Sequence, residues 1–298
     1  MTPRTYATPA AFKRALEDRL KVTSETGVDF ARRRQLLVFD RFLARTAVVF
    51  GDAVMLKGGL VLELRLERAR TTRDIDIRLA GSLADILPRL QAAGRRDLDD
   101  FMTFEVIPDP DTPKIVGDGV EYDGYRFRAE CRLAGKVYGA RFGVDVALGG
   151  PVIGDVEELV ADNLLGFAGI APPKLRVVPI ETHISEKLHA YTLPRERPNT
   201  RVKDLPDLAL LGTIRSLEAE RVRAAIERTF SSRRAQPVPD RLPPPPEAWA
   251  EPYARMADLD DLAWRTLPEV EAAARAFLDP ILGGSAAKRW DPALWGWK

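Results

Sequence analysis

Apolar positions recur at helical spacing through the first fifty residues. Thr8 followed by Pro9 reads as an N-cap and first helical position, and predicts a helix to about Thr23, ahead of Gly27. Leu36, Phe39, Leu43 and Val48 form one stripe and predict a second helix from about Phe30 to Val49. "AVML" (53–56) reads as a short strand that ends in Lys57-Gly58-Gly59, and "LVLELRLE" (60–67) as a helix packing through Leu60 and Leu64. A strand follows in "RTTRDIDIRL" (70–79), where alternation puts Ile75, Ile77 and Leu79 on one face and Asp74 and Asp76 on the other. "LADILPRLQAAG" (83–94) is helical in pattern, residues 101–148 hold several strands, and "GGPVIG" (149–154) reads as a loop and domain boundary.

The second half differs. "EELVADNLLGFAG", "THISEKLHAYTL", "DLALLGTI" and "SLEAERVRAAIERTF" predict helices. "AQPVPDRLPPPPEAW" (235–249) holds too many prolines for helix or central strand and reads as an extended strap. "VEAAARAFLDPIL" predicts a final helix. Together these elements predict an α/β (α+β) protein of two lobes: residues 1–150 around a mixed sheet, and residues 151–298 mainly helical.

With 298 residues and 45% hydrophobic content, the chain can build a real core. No run of eighteen apolar residues and no apolar N-terminal segment occur, so neither a membrane span nor a signal peptide is expected. A single cysteine, Cys131, permits no internal disulfide and points to the cytoplasm. Two histidines leave any chemistry to carboxylates, lysines and arginines. A net charge of +1 argues against an extended nucleic-acid footprint, although "ARRR" (31–34), "RLERARTTR" (65–73) and "SSRR" (231–234) are basic clusters.

The two aspartates on one strand face raise a physical question, because neighbouring like charges repel. Alternate strand positions stand roughly 6–7 Å apart at Cα, close enough for two carboxylates to share a metal ion. Magnesium takes oxygen ligands and bridges carboxylates to substrate phosphates. The preceding Gly58-Gly59 allows close backbone approach, and a helix start there offers amide N–H groups to a phosphate. Asp145, alone among apolar residues of "GARFGVDVALG", is a candidate third carboxylate, because a bare buried charge is costly. The bland alternatives are an ordinary glycine turn and solvated strand edges.

A second group lies in "ISEKLHAYTLPRERPNTRVKDLPDLALL" (184–211). Ile184, Leu188 and Tyr191 share one helical face, with Lys187 offset from it and free to reach a pocket. Asp204 and Asp207 lie on one side of a helical turn. Asp204 has two readings, a helix N-cap ahead of Pro206 or a functional carboxylate. Glu186 and Lys187 by themselves read as an ordinary exposed pair.

Gly-Gly, a short helix, D-x-D and a later lone Asp, in that order, resemble the polymerase-beta-like nucleotidyltransferase superfamily. "LKGGLVLELRLERARTTRDIDIRL", with E-K-L-x-A and K-D-x-x-D-L in the second half, is similar to the AbiEii/AbiGii toxin family of nucleotidyltransferases, which includes the MenT toxins. The chain departs from many relatives in the fourteen residues between Gly59 and Asp74 and in Thr71-Thr72-Arg73 where serine often precedes the D-x-D.

The resemblance implies a magnesium-dependent transfer of a nucleotide from an NTP to an RNA acceptor, the tRNA 3′ end, which blocks aminoacylation, with an antitoxin encoded nearby. It implies Asp74, Asp76 and Asp145 as metal ligands, and Lys57, Gly58, Gly59 and Thr72 as nucleotide contacts. Lys187 and Asp204 complete the site from the second lobe, and Thr71 or Thr72 is a candidate for silencing by phosphorylation. The rival expectations are nucleotidyl transfer to a small aminoglycoside-type molecule, and a non-catalytic binding module.

Overall fold

The computed structural model describes residues 5–66, 71–81, 85–115, 124–195, 199–234 and 236–298. Helix α1 (Pro9–Thr23) starts as its pattern predicts: Thr8 Oγ1 accepts a hydrogen bond from the Ala11 amide at 3.2 Å, with Pro9 in the first turn. Helix α2 (Gly27–Phe50) begins earlier than its stripe, because Thr26 caps it through the Asp29 amide at 3.0 Å. Strand β1 (Val54–Lys57), helix α3 (Gly59–Arg65) and strand β2 (Ile75–Leu79) follow, then helix α4 (Ile86–Arg95) and strands β3 (Met102–Pro108), β4 (Gly124–Leu133), β5 (Lys136–Val137) and β6 (Phe142–Leu148). Parts of the predicted 60–67 and 83–94 helices, of the basic segment 65–73 and of the strap fall outside the described residues.

The segment "EELVADNLLGFAG" is not a helix. It holds strand β7 (Glu157–Val160) and, further on, a single 3-10 turn (Gly166–Ala168), because Glu157–Val160 pairs antiparallel with strand β8 (Lys174–Val177). Both strands join the main sheet, in which the order is β3-β4-β6-β2-β1-β8-β7 with β5 beside β4. The β2/β6 and β1/β8 pairs are parallel and the others antiparallel, so the sheet is mixed. One core fills the face carrying Leu56, Ile75, Ile77, Phe127, Val144 and Val146, against Phe12 and Leu16 of α1, Phe39 and Phe42 of α2, and Leu90 of α4. This core runs on to Val177, past the loop at 149–154.

The second core begins at Ile180. It is built by helices α5 (Ile180–Thr192), α6 (Asp204–Thr213), α7 (Ala219–Arg233), α8 (Ala250–Leu259) and α9 (Leu267–Leu282). Leu217–Glu218, predicted as the start of a helix, instead form strand β9, which pairs with β10 (Arg289–Asp291) and thence β11 (Gly296–Trp297). Trp290 is buried there and its indole donates to the Gly212 carbonyl at 2.8 Å. The proline-rich strap holds neither helix nor strand over 236–246, as predicted, but its end, Glu247–Trp249, winds into a 3-10 turn. Leu242 is buried, its amide donates to Asp279, and Tyr191 donates to the Pro243 carbonyl at 2.9 Å.

Leu62 of α3 packs into the second core, although α3 belongs to the first lobe by sequence. Arg65 at the end of α3 pairs with Glu157 at 2.8 Å, and Arg215 joins the same carboxylate at 2.9 Å. These contacts hold α5 and α6 beside the sheet face that α1, α2 and α4 leave open. No helix among the described residues is long and apolar enough to cross a membrane.

Candidate active site

Strand pairing assembles a row of charges on that open face. Lys57 of β1 stands opposite Asp76 of β2, Asp76 opposite Asp145 of β6, and Asp145 opposite Arg126 of β4. Paired residues point to the same side of a sheet, so the row reads plus, minus, minus, plus across four strands. Alternation in β2 is as predicted: Ile75, Ile77 and Leu79 are buried, while Asp76 and Arg78 lie on the other face.

Two glycines make room for the acids. Gly58 has φ +71°, and a Cβ there would stand 2.7 Å from the Asp76 carboxyl carbon. That position therefore needs glycine for conformation and for space. Asp74 lies just before β2, is exposed, and accepts a hydrogen bond from the Gly143 amide at 3.1 Å; a Cβ on Gly143 would stand 2.6 Å from the same oxygen. Gly143 thus draws Asp74 towards β6, where Asp145 sits two residues further on.

Burial and the neighbouring Asp145 push the Asp76 carboxyl above its ordinary range, and Lys57, Lys187 and Lys203 oppose them. Asp145 is held by Arg126 through both oxygens, at 2.8 and 3.0 Å. Arg126 is the residue that sequence reasoning missed. Its place in "YRFRAECRLA" gave only an alternating strand, with nothing to link it to a residue on β6.

The second lobe contributes from α5 and α6. Glu186 pairs with Lys57 at 3.1 Å and with Arg233 at 3.3 Å. Burial pushes its carboxyl up, but Lys57 and Arg233 outweigh that and hold it at about 2. It is a link between the lobes and not an ordinary exposed group. Lys187 was expected to be free to reach a pocket; instead its ammonium lies 3.0 Å from Asp204 and 2.6 Å from Asp207. Both carboxylates are fully buried, and Arg201 reaches Asp204 at 3.0 Å. Burial disfavours the Asp204 charge, yet Lys187 and Arg201 keep its carboxyl below the usual range. The capping reading of Asp204 fails, because Lys203 holds the N-cap position and Asp204 is the first residue of α6.

The two threonines separate. Thr71 is exposed and its amide donates to Asp260 at 3.0 Å. Thr72 is buried: its amide donates to Glu63, its carbonyl accepts from Arg32, and its hydroxyl donates to the Asp74 carbonyl at 3.4 Å.

Among the described residues, no three acidic, histidine or cysteine side chains converge as a formed metal centre. The donor chemistry nevertheless suits a hard divalent cation. Asp74, Asp76 and Asp145 offer only carboxylate oxygens, and strand pairing sets Asp76 directly beside Asp145.

A sequence profile of the nucleotidyl transferase AbiEii toxin family, described as a type IV toxin–antitoxin system, matches residues 41–294. The chain belongs to the AbiEii family. It is a nucleotidyltransferase and a toxin of that kind of system. Membership agrees with the family expectation drawn from the two motifs, and the reading as a non-catalytic module is overturned. Among solved structures, the fold is similar to the MenT4 nucleotidyltransferase toxin from Mycobacterium tuberculosis, with TM-score 0.53 and 17% identity over 93% of this chain and 89% of that one. JHP933 from Helicobacter pylori is also similar, with TM-score 0.46 and 15% identity over 85% of this chain and 92% of that one. No curated protein sequence matches.

Proposed function

We propose that this AbiEii member transfers a nucleotide from an NTP to the 3′ end of tRNA in a magnesium-dependent reaction in the cytoplasm, and so blocks aminoacylation. The observation that carries the reading is the juxtaposition of Asp76 and Asp145 on paired strands, with Asp74 drawn to the same place by Gly143. Asp74, Asp76 and Asp145 are the residues that would hold magnesium. Bound there, the ion would supply positive charge to the triphosphate and to the attacking hydroxyl oxygen.

The chain's own groups do the rest. Gly58 and Gly59 let the triphosphate approach the backbone, and Lys57 adds charge beside Asp76. Lys187 offsets phosphate charge as pyrophosphate leaves, a moment at which fixed charge in a partly dry site is worth most. Asp204 and Asp207 set where that ammonium stands. Thr72 positions Asp74 through its carbonyl. Thr71, the exposed one, is the hydroxyl on which a phosphate of roughly −1.5 to −2 charge would oppose the triphosphate.

The cations around the acids are paired, Lys57 with Glu186, Lys187 with Asp204 and Asp207, and Arg126 with Asp145, so the choice of tRNA over an aminoglycoside rests on the family resemblance. The deciding experiment incubates the protein with each labelled NTP, magnesium and total tRNA, followed by a denaturing gel. A labelled band at tRNA length supports the reading; label only in small molecules would reject the acceptor.

A further inference from the structure

Arg126 occupies an unusual place for a structural arginine. It stands directly opposite Asp145 in the β4/β6 pairing and takes both carboxylate oxygens, with Nε at 2.8 Å from Oδ1 and Nη2 at 3.0 Å from Oδ2. Its remaining nitrogen, Nη1, donates to the Thr112 hydroxyl at 3.1 Å. Two residues along the same strand face, Arg128 makes a different kind of pair. Its partner Asp109 is 1% exposed and also accepts from the amides of Asp111 and Thr112 at 3.0 and 2.9 Å. Asp109 is thus fixed in a turn by several donors. Among the described residues, the Asp145 carboxylate takes hydrogen bonds from Arg126 alone, and the two side chains are 22% and 37% exposed.

We propose that Arg126 is a positioning residue that stands in for the divalent cation on Asp145 and gives that carboxylate up when metal arrives; the inference rests on Asp74, Asp76 and Asp145 being the metal site. Without a cation, Asp76 and Asp145 are adjacent like charges, and the Arg126 guanidinium relieves that repulsion. A divalent cation and a guanidinium on one carboxylate repel each other, so both do not keep it. On release the guanidinium retains the Thr112 hydroxyl and the nearby Asp109 charge. The cost of detaching Arg126 is thereby built into metal binding, and the site discriminates against weakly bound cations.

The test measures manganese binding by electron paramagnetic resonance to the nucleotide-free full-length protein, in wild type, Arg126→Gln, Arg126→Lys and Asp76→Asn. Arg126→Gln should bind manganese roughly five- to tenfold more tightly, in keeping with the loss of a bidentate charge-assisted pair at a partly exposed site. Arg126→Lys, which keeps the charge without the fork, should lie between. In wild type the Arg126 Nε–H resonance, slow to exchange when bonded to Asp145, should lose its protection on magnesium addition. Binding that Asp76→Asn abolishes but Arg126→Gln leaves unchanged or weaker overturns the role of Arg126 alone. No manganese bound by any form overturns the reading of the carboxylates as a metal site, and this inference with it.

Discussion

Asp76 and Asp145 face each other across the parallel pairing of β2 and β6, and the Asp145 charge adds to burial in making Asp76 harder to ionise. A fold keeps such a pair only where positive charge is at hand. Here Lys57 flanks one side and Arg126 the other, which accounts for the protein alone; for the working enzyme we assign the remaining charge to magnesium.

Asp76→Asn should abolish nucleotide transfer, by roughly a thousandfold or more, since it removes charge aimed at the reacting phosphates. The fold should survive, with an unfolding temperature equal to or above that of wild type, because one of two repelling carboxylates is neutralised. Thermal scans with and without magnesium check both parts: wild type is stabilised by the ion and the variant is not. Wild-type turnover in the variant would sink the assignment.

Gly58→Ala tests the cradle. The new methyl meets the Asp76 carboxylate and the residue must hold φ +71°, so the variant should lose about 1–3 kcal/mol of stability and most of its activity. Chemical denaturation reads the first and the tRNA assay the second. A stable, fully active variant would show that the backbone at 58 is not fixed against Asp76.

Lys187→Ala should destabilise the protein by about 3–5 kcal/mol, because it strips the cation from two fully buried carboxylates. The role at the triphosphate is therefore read below the unfolding temperature, as turnover at saturating NTP. Normal turnover there would leave Lys187 with a structural part only. Asp204→Asn, which keeps the shape and removes charge, should be folded and inactive; an active Asp204→Asn enzyme would refute a catalytic contribution.

Acid stability should depend on Glu186. Its carboxyl is held at about 2, below its ordinary 4.5, so the charged form favours the folded state. That stabilisation is fully present above pH 4.5 and is lost as the pH falls towards 2, for a total of about 2–3 kcal/mol. Burial, and after it the Lys187 charge, likewise hold His183 at about 3, so folding there favours the neutral ring, and stability is lost as pH falls from 6.5. In Glu186→Gln the stability curve should fall less steeply than wild type below pH 4.5, keeping the slope that His183 contributes between 6.5 and about 3. Urea midpoints at half-unit pH steps check this; superimposable curves would reject the Lys57–Glu186–Arg233 link.

Thr71→Glu should lower transfer, and coexpression with a modifying genomic neighbour should add phosphate mass at Thr71, the exposed hydroxyl, and not at buried Thr72. Full inhibition with no change in intact mass would reject phosphorylation as the off switch.

Local rules made part of this protein legible from its residues alone. Thr8-Pro9 started α1, alternation oriented Asp76 away from Ile75 and Ile77, and the proline density of 236–246 ruled out helix. These outcomes depend on neighbours within a few positions, where sterics and hydrogen bonding act directly. Order along the chain also sufficed for the family, since Gly58-Gly59, Asp74-x-Asp76 and Lys187…Asp204 are short motifs.

What depends on distant partners was decided by tertiary structure. Residues 157–160 became strand because β8 offered a pairing edge, and the first core therefore ran past 150 to Val177. Asp204 capped nothing because Lys187, one helix away, gave its charge a buried partner. Arg126 met Asp145, and Glu186 met Lys57, only through the register of strands and the packing of α5 against the sheet. An isolated strand shows which face a side chain takes; which charge stands opposite it is settled by pairing between segments far apart in the chain.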